Sequence, residues 1–157
     1  EPTTALDVTI QAQIMNLLKG LQKEEGKTFI LITHNMALVS EVADHVAVMY
    51  LGRIVEYGPV HQVLKSPKHP YTRSLLKSIP TLDADKQIPL QTVSGQTPSP
   101  ADITSGCEFA GRCGYASDEC RQGVIPLRNF EGRQQARCIR LDGVGNLPKV
   151  GVEASRG

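Results

Sequence analysis

All four cysteines of the 157-residue chain, Cys107, Cys113, Cys120 and Cys138, fall within one stretch of 32 positions, and none precedes it. Thiolates gathered this way can hold a soft metal ion or cluster, or pair as disulfides. Their spacing is Cys-x5-Cys-x6-Cys-x17-Cys, which matches neither the Cys-x2-Cys knuckle of many zinc sites nor the tight run of bacterial ferredoxins. Spacing alone therefore leaves the metal open. Gly106, Gly111 and Gly114 flank the first two cysteines and would let the backbone turn around a ligand. No apolar run is long enough to cross a bilayer and the N-terminus does not read as a secretion signal, so a cytoplasmic, reducing setting is expected. There, metal binding is the better default than disulfides.

The elements that must position these residues are read from periodicity. Ile10, Ile14, Leu17, Leu18 and Leu21 share one helical face over 8–25, with Asp7 as N-cap and Gly26 as stop. Thr28-Phe-Ile-Leu-Ile-Thr33 reads as a strand buried on both faces of a parallel sheet. A helix over 35–43 follows, then two strands, 45–50 and 53–57, joined at Gly52 as an antiparallel hairpin. Helices are expected over 60–65 and 70–79, the second aligning Tyr71, Leu75 and Ile79. Pro80, Pro89, Pro98 and Pro100 mark 80–105 as a linker. The cysteine module occupies 106–141, and a Gly-rich tail over 142–157 is expected to be disordered. With 40% hydrophobic residues, no Trp and a net charge of +1, a modest aliphatic core is expected and no broad field for nucleic acid.

The order Glu1-Pro-Thr-Thr-Ala-Leu-Asp7, helix, strand, Thr33-His34 resembles the second half of an ABC ATPase domain. The resemblance covers about 1–58 and implies roles. Glu1 would be the glutamate that polarises the attacking water, His34 the switch histidine at the γ-phosphate, and Thr4 to Asp7 the D-loop that contacts an opposing ATPase subunit. Asp7 also suits a plain N-cap. Asn35 departs from the family, where Asp commonly follows the histidine. The resemblance implies ATP and Mg2+ as cofactors and hydrolysis of ATP to ADP and phosphate. The sequence contains no G-x-x-x-x-G-K-[ST] loop, glutamine loop or LSGGQ-like segment, so it is expected to be a C-terminal fragment, inactive alone.

His69-Pro-Tyr-Thr-Arg-Ser-Leu-Leu76, Ile79-Pro80 and Gly106-Cys-Glu-Phe-Ala-Gly-Arg-Cys113, with Cys120, Pro126 and Cys138, are similar to the C-terminal extension of dipeptide, oligopeptide and nickel importer ATPases. That resemblance implies a [4Fe–4S] cluster on Cys107, Cys113, Cys120 and Cys138, with Zn2+ as the alternative. It also implies Arg112 as a charge near the cluster or an ordinary surface residue, and Phe109 and Tyr115 as packing. Its partners would be a second ATPase subunit, identical or homologous, two membrane-spanning permease subunits and, indirectly, an external substrate-binding protein, at the cytoplasmic face of the membrane. The expected fold class is α/β, the C-terminal half of an ABC-type P-loop ATPase domain (1–79) followed by a small irregular Cys-rich metal-binding extension. Two other readings fit parts of the chain: a metal-stabilised interaction module, and a soluble non-transport ABC ATPase.

Overall fold

A computed structural model of the chain describes residues 7–79, 93, 95–102 and 105–140. Glu1, most of the expected linker and the 142–157 tail lie outside the described residues. The chain is α/β with a small antiparallel sheet, and it divides into two compact units, Glu1–Asp44 and His45–Gly157.

In the first unit, α1 runs Val8–Glu25 between the caps read from sequence: Asp7 accepts a hydrogen bond from the Ile10 amide at 2.9 Å, and Gly26 closes the helix. Helix α2, Met36–Val42, starts on Asn35, whose side chain accepts from the Leu38 amide at 3.1 Å. Lys19 of α1 donates to the Glu41 carbonyl at 3.1 Å. The expected buried strand over 28–33 does not form. Its backbone is irregular, and Ile30 and Ile32 are 91% and 73% exposed. A strand of a parallel sheet takes its hydrogen bonds and burial from neighbours on both sides. Among the described residues the first unit contains no other strand to supply them.

The second unit is built on the hairpin β1 (His45–Tyr50) and β2 (Arg53–Pro59), antiparallel as expected, with a two-residue Leu51-Gly52 turn in which both φ values are positive. Short helices α3 (Val60–Lys65) and α4 (Pro70–Lys77) follow, so Ile79 falls beyond the helix that was expected to include it. Pro70 occupies the first turn of α4, where its missing N–H costs no hydrogen bond. The sheet then acquires two late, short strands, β3 (Arg128–Asn129) and β4 (Gln135–Ala136), in the order β1-β2-β4-β3. Glu56 pairs with Ala136 and Tyr57 with Gln135. The cysteine segment falls in the same compact unit as the hairpin.

The core unites both sequence regions. Val48, Tyr50, Val55 and Val63 pack with Phe109, which is 2% exposed. Phe109 meets Tyr50 edge-on at a ring-centroid separation of 5.4 Å and Tyr71 at 5.4 Å. It is therefore the centre of the core and not merely packing around a loop. Arg112 donates to the Tyr50 hydroxyl at 3.3 Å, the Thr97 hydroxyl at 3.0 Å and the Val93 carbonyl at 2.9 Å, so it ties these linker residues to the hairpin.

A buried carboxyl group locks the layers. Glu56 on β2 has no exposed surface and accepts from the Lys68 amide (2.7 Å), the His69 amide (2.9 Å) and the Gln134 side-chain amide (2.7 Å). Gln134 also donates to the Ser66 carbonyl at 3.1 Å. Replacing Glu56 by Ala leaves three donors without an acceptor, each a penalty of about 1–3 kcal/mol. We expect E56A to lower unfolding free energy by about 3 kcal/mol or more, measured by denaturant titration, with Glu56→Gln intermediate.

Candidate metal centre

The first cysteine loop is set by Gly106, at φ 80°, where a Cβ would lie 2.5 Å from the Cys120 carbonyl oxygen and 2.6 Å from the Arg121 carbonyl carbon. Glycine is required there for both conformation and space. Gly111 and Gly114 have no positive φ and no atom crowding them, so the turn depends on Gly106 alone of the three. The Gly106 amide donates to Gly123 at 2.7 Å and the Cys107 amide to Cys120 at 2.8 Å, which staples the first and third cysteines side by side. Short 3-10 turns, Ala110–Arg112 and Asp118–Arg121, carry the chain to Cys113 and Cys120. Cys138 arrives by another route: β4 pairs with β2, and the Arg137 amide continues the ladder to the Val55 carbonyl at 2.8 Å.

All four cysteines are free and line one cavity, together with His69, Phe109, Ile125 and Arg140. The backbone amides of Phe109, Tyr115 and Arg140 act to lower the thiol pKa of Cys107, Cys113 and Cys138. The Ser117 amide and hydroxyl both approach the Cys120 sulfur at 3.5 Å. Such donors stabilise negative charge on sulfur. Burial nonetheless dominates: it pushes the Cys107 and Cys138 thiols up to about 11 and raises Cys113 as well, with the neighbouring sulfurs adding to the effect. Arg140 opposes it at Cys113 and Cys138, and its Nε is buried without a hydrogen-bond partner among the described residues. Glu108, beside Cys107, is 8% exposed and pairs with Arg53 at 2.7 Å.

His69, 1% exposed, caps α4 by accepting the Tyr71 amide on Nδ1 at 3.1 Å, while its Nε2 lies 3.9 Å from the Cys107 sulfur. Burial holds its pKa down at about 4, so the ring is neutral near pH 7. Sequence reasoning placed His69 in a motif but gave it no role; the only signal was a histidine ahead of Pro at a helix start. Glu56 was missed altogether, since an acidic residue in a strand reads as a solvated face.

The four sulfurs line one cavity, a donor set of the kind that could hold a thiolate-bound metal. Among the described residues, no three His, Cys, Asp or Glu side chains converge closely enough to share a single ion. The fit is therefore one of donor chemistry and enclosure, without a closed tetrahedral site. Arg112, read as a possible cluster neighbour, instead spends its donors on Tyr50, Thr97 and Val93. Of the ATPase residues, Glu1 lies outside the described residues, Asp7 is an exposed N-cap, and His34 is exposed just before the α2 cap.

Residues 55–120 match the profile of a family described as the oligopeptide/dipeptide transporter, C-terminal region. The chain is also similar to a Brucella ovis protein named for peptide import and ATP binding, at 48% identity over 145 residues, 89% of this chain and 43% of the relative. Dipeptide transport ATP-binding proteins of Haemophilus influenzae and Escherichia coli are 49% and 45% identical over 88% and 92% of this chain. The chain spans about two-fifths of the length of these relatives, whose covered shares are 43%, 41% and 44%.

Two outcomes follow from this geometry. Gly106→Ala, which drives a Cβ into the Cys120 and Arg121 backbone, is expected to destabilise the second unit by about 2–4 kcal/mol in thermal or denaturant unfolding. In metal-free protein the folded thiols keep protons that unfolded ones, with a reference value of 9.0, have released. Stability should thus be fully present below pH 9 and fall as pH rises from 9 towards 11, measured by unfolding at fixed temperature across that range. A flat profile there would show that the thiols are not held protonated by the fold.

Proposed function

We propose that the chain supplies the C-terminal part of the ATP-hydrolysing subunit of an ABC importer that energises uptake of di- or oligopeptides, with nickel as the cargo of some similar importers. The observation that carries this is the continuity of the likeness. Relatives named for dipeptide transport and ATP binding match 88–92% of the chain, so one likeness takes in nearly the whole of it. A soluble non-transport ATPase leaves the match over residues 55–120 without a reason. No helix among the described residues is long and apolar enough to cross a membrane, which suits a subunit that works through separate permease subunits.

In the complete subunit, Glu1 would polarise the attacking water, His34 would hydrogen-bond the γ-phosphate, and Asp7 would end the loop facing the second ATPase subunit. ATP with Mg2+ supplies the phosphoryl group and its charge neutralisation. The two ATPase subunits, closing on nucleotide, drive the permease pair at the cytoplasmic face of the membrane. In the full-length subunit, Glu1→Gln and His34→Ala are each expected to reduce ATPase turnover by about 100-fold or more. The isolated chain should show no turnover above background. Normal turnover in either variant would remove that residue from the reaction.

The same reading gives Cys107, Cys113, Cys120 and Cys138 a [4Fe–4S] cluster, with zinc as the alternative. The convergence of all four cysteines on one cavity supports a thiolate-bound group over four unrelated cysteines. Its role is structural, because the segment that carries it also carries Phe109 and β4. Anaerobic absorbance with iron, sulfide and zinc analysis tests this. About four iron and four sulfide per chain support the cluster, and zinc alone overturns it.

A further inference from the structure

The imidazole of His69 has two faces with different work. Its Nδ1 accepts the Tyr71 amide, so the single proton of the neutral ring must sit on Nε2. That nitrogen lies 3.9 Å from the Cys107 sulfur. At 1% exposure, no water competes for the proton. The same tautomer rules His69 out as a metal ligand through Nε2, because that nitrogen has no free lone pair while Nδ1 caps α4. The ring is immobilised: its backbone amide is bound to Glu56 and its face lies 6.0 Å from the Phe109 ring.

We propose that His69 is a positioning residue of the four-cysteine centre, locked as the Nε2–H tautomer by the helix cap so that it donates an N–H to the Cys107 sulfur. This rests on the reading of that centre as an iron–sulfur site. Cys120 has the Ser117 amide and hydroxyl beside its sulfur, and Cys107 is the cysteine that faces a histidine ring nitrogen. An N–H on a ligand sulfur stabilises the more negative, reduced state of a cluster and raises its midpoint potential. The start of α4 and the electronics of Cys107 are thereby joined through one ring.

His69→Asn separates the two jobs, since Asn still caps a helix but is too short to reach Cys107. In the full chain, anaerobically prepared, we expect His69→Asn to lower the melting temperature through the lost ring packing but to keep the wild-type iron and sulfide content. Its midpoint potential should move to a more negative value, with a changed EPR signal in the reduced state. An unchanged potential at equal iron content reduces His69 to a cap and overturns the proposal. A second measurement needs neither variant nor cluster: imidazole 15N shifts of the wild-type chain report the tautomer directly. The Nε2–H form is expected, and an Nδ1–H ring or an imidazolium at pH 7 overturns the proposal whatever the metal. Absence of iron and sulfide from wild type sinks the cluster reading instead, and the 15N result then decides the tautomer lock by itself.

Discussion

The second unit depends on one carboxyl group with no access to water. Glu56 sits in the middle of β2 and accepts three hydrogen bonds, two from the turn before α4 and one from Gln134 before β4. Burying a carboxyl is costly unless its oxygens are bonded, and here three N–H groups meet them. The arrangement fixes two things at once. It sets where α4 begins, and hence where the His69 ring lies, and it sets where the chain re-enters the sheet, and hence where Cys138 is delivered. The route of the chain after Gln134 follows from these bonds together with the Arg137 ladder.

The electrostatics of the cavity are unbalanced when it holds only thiols. Backbone amides lower the pKa of Cys107, Cys113 and Cys138, yet burial and the neighbouring sulfurs outweigh them and all three are raised. Arg140, whose Nε is buried at the same cavity without a hydrogen-bond partner among the described residues, opposes that rise at Cys113 and Cys138.

The sequence made local structure legible where the local signals agreed. Asp7 and Gly26 bounded α1, the Gly52 turn set the hairpin, and the clustered cysteines led to one cavity. It misled where an element depends on partners elsewhere. Residues 28–33 have the composition of a buried strand, but composition supplies no neighbour, and the apolar side chains of Ile30 and Ile32 stand in solvent. The reverse error hid β3 and β4. Arg128-Asn129 and Gln135-Ala136 have no strand pattern, being two residues long and polar, and they pair only because Gln134 is anchored to Glu56. Glu56 itself was illegible for the same reason, since its partners lie 12, 13 and 78 positions away.

That distribution of contacts decides what the four cysteines can do for the fold. A metal module tethered by a linker would fold or fail without consequence for the rest. Here Phe109, two residues after Cys107, fills the centre of the hairpin's core, and Ala136, two residues before Cys138, is paired with Glu56. Any ligand that binds the folded thiols and not the unfolded chain stabilises the hairpin, α3 and α4 by mass action along with the loop that holds it. Cys107 and Cys113 pack against that core, Cys138 follows the strand paired with Glu56, and Cys120 is stapled to Cys107 through the main chain, so the fold itself brings all four thiols to one cavity.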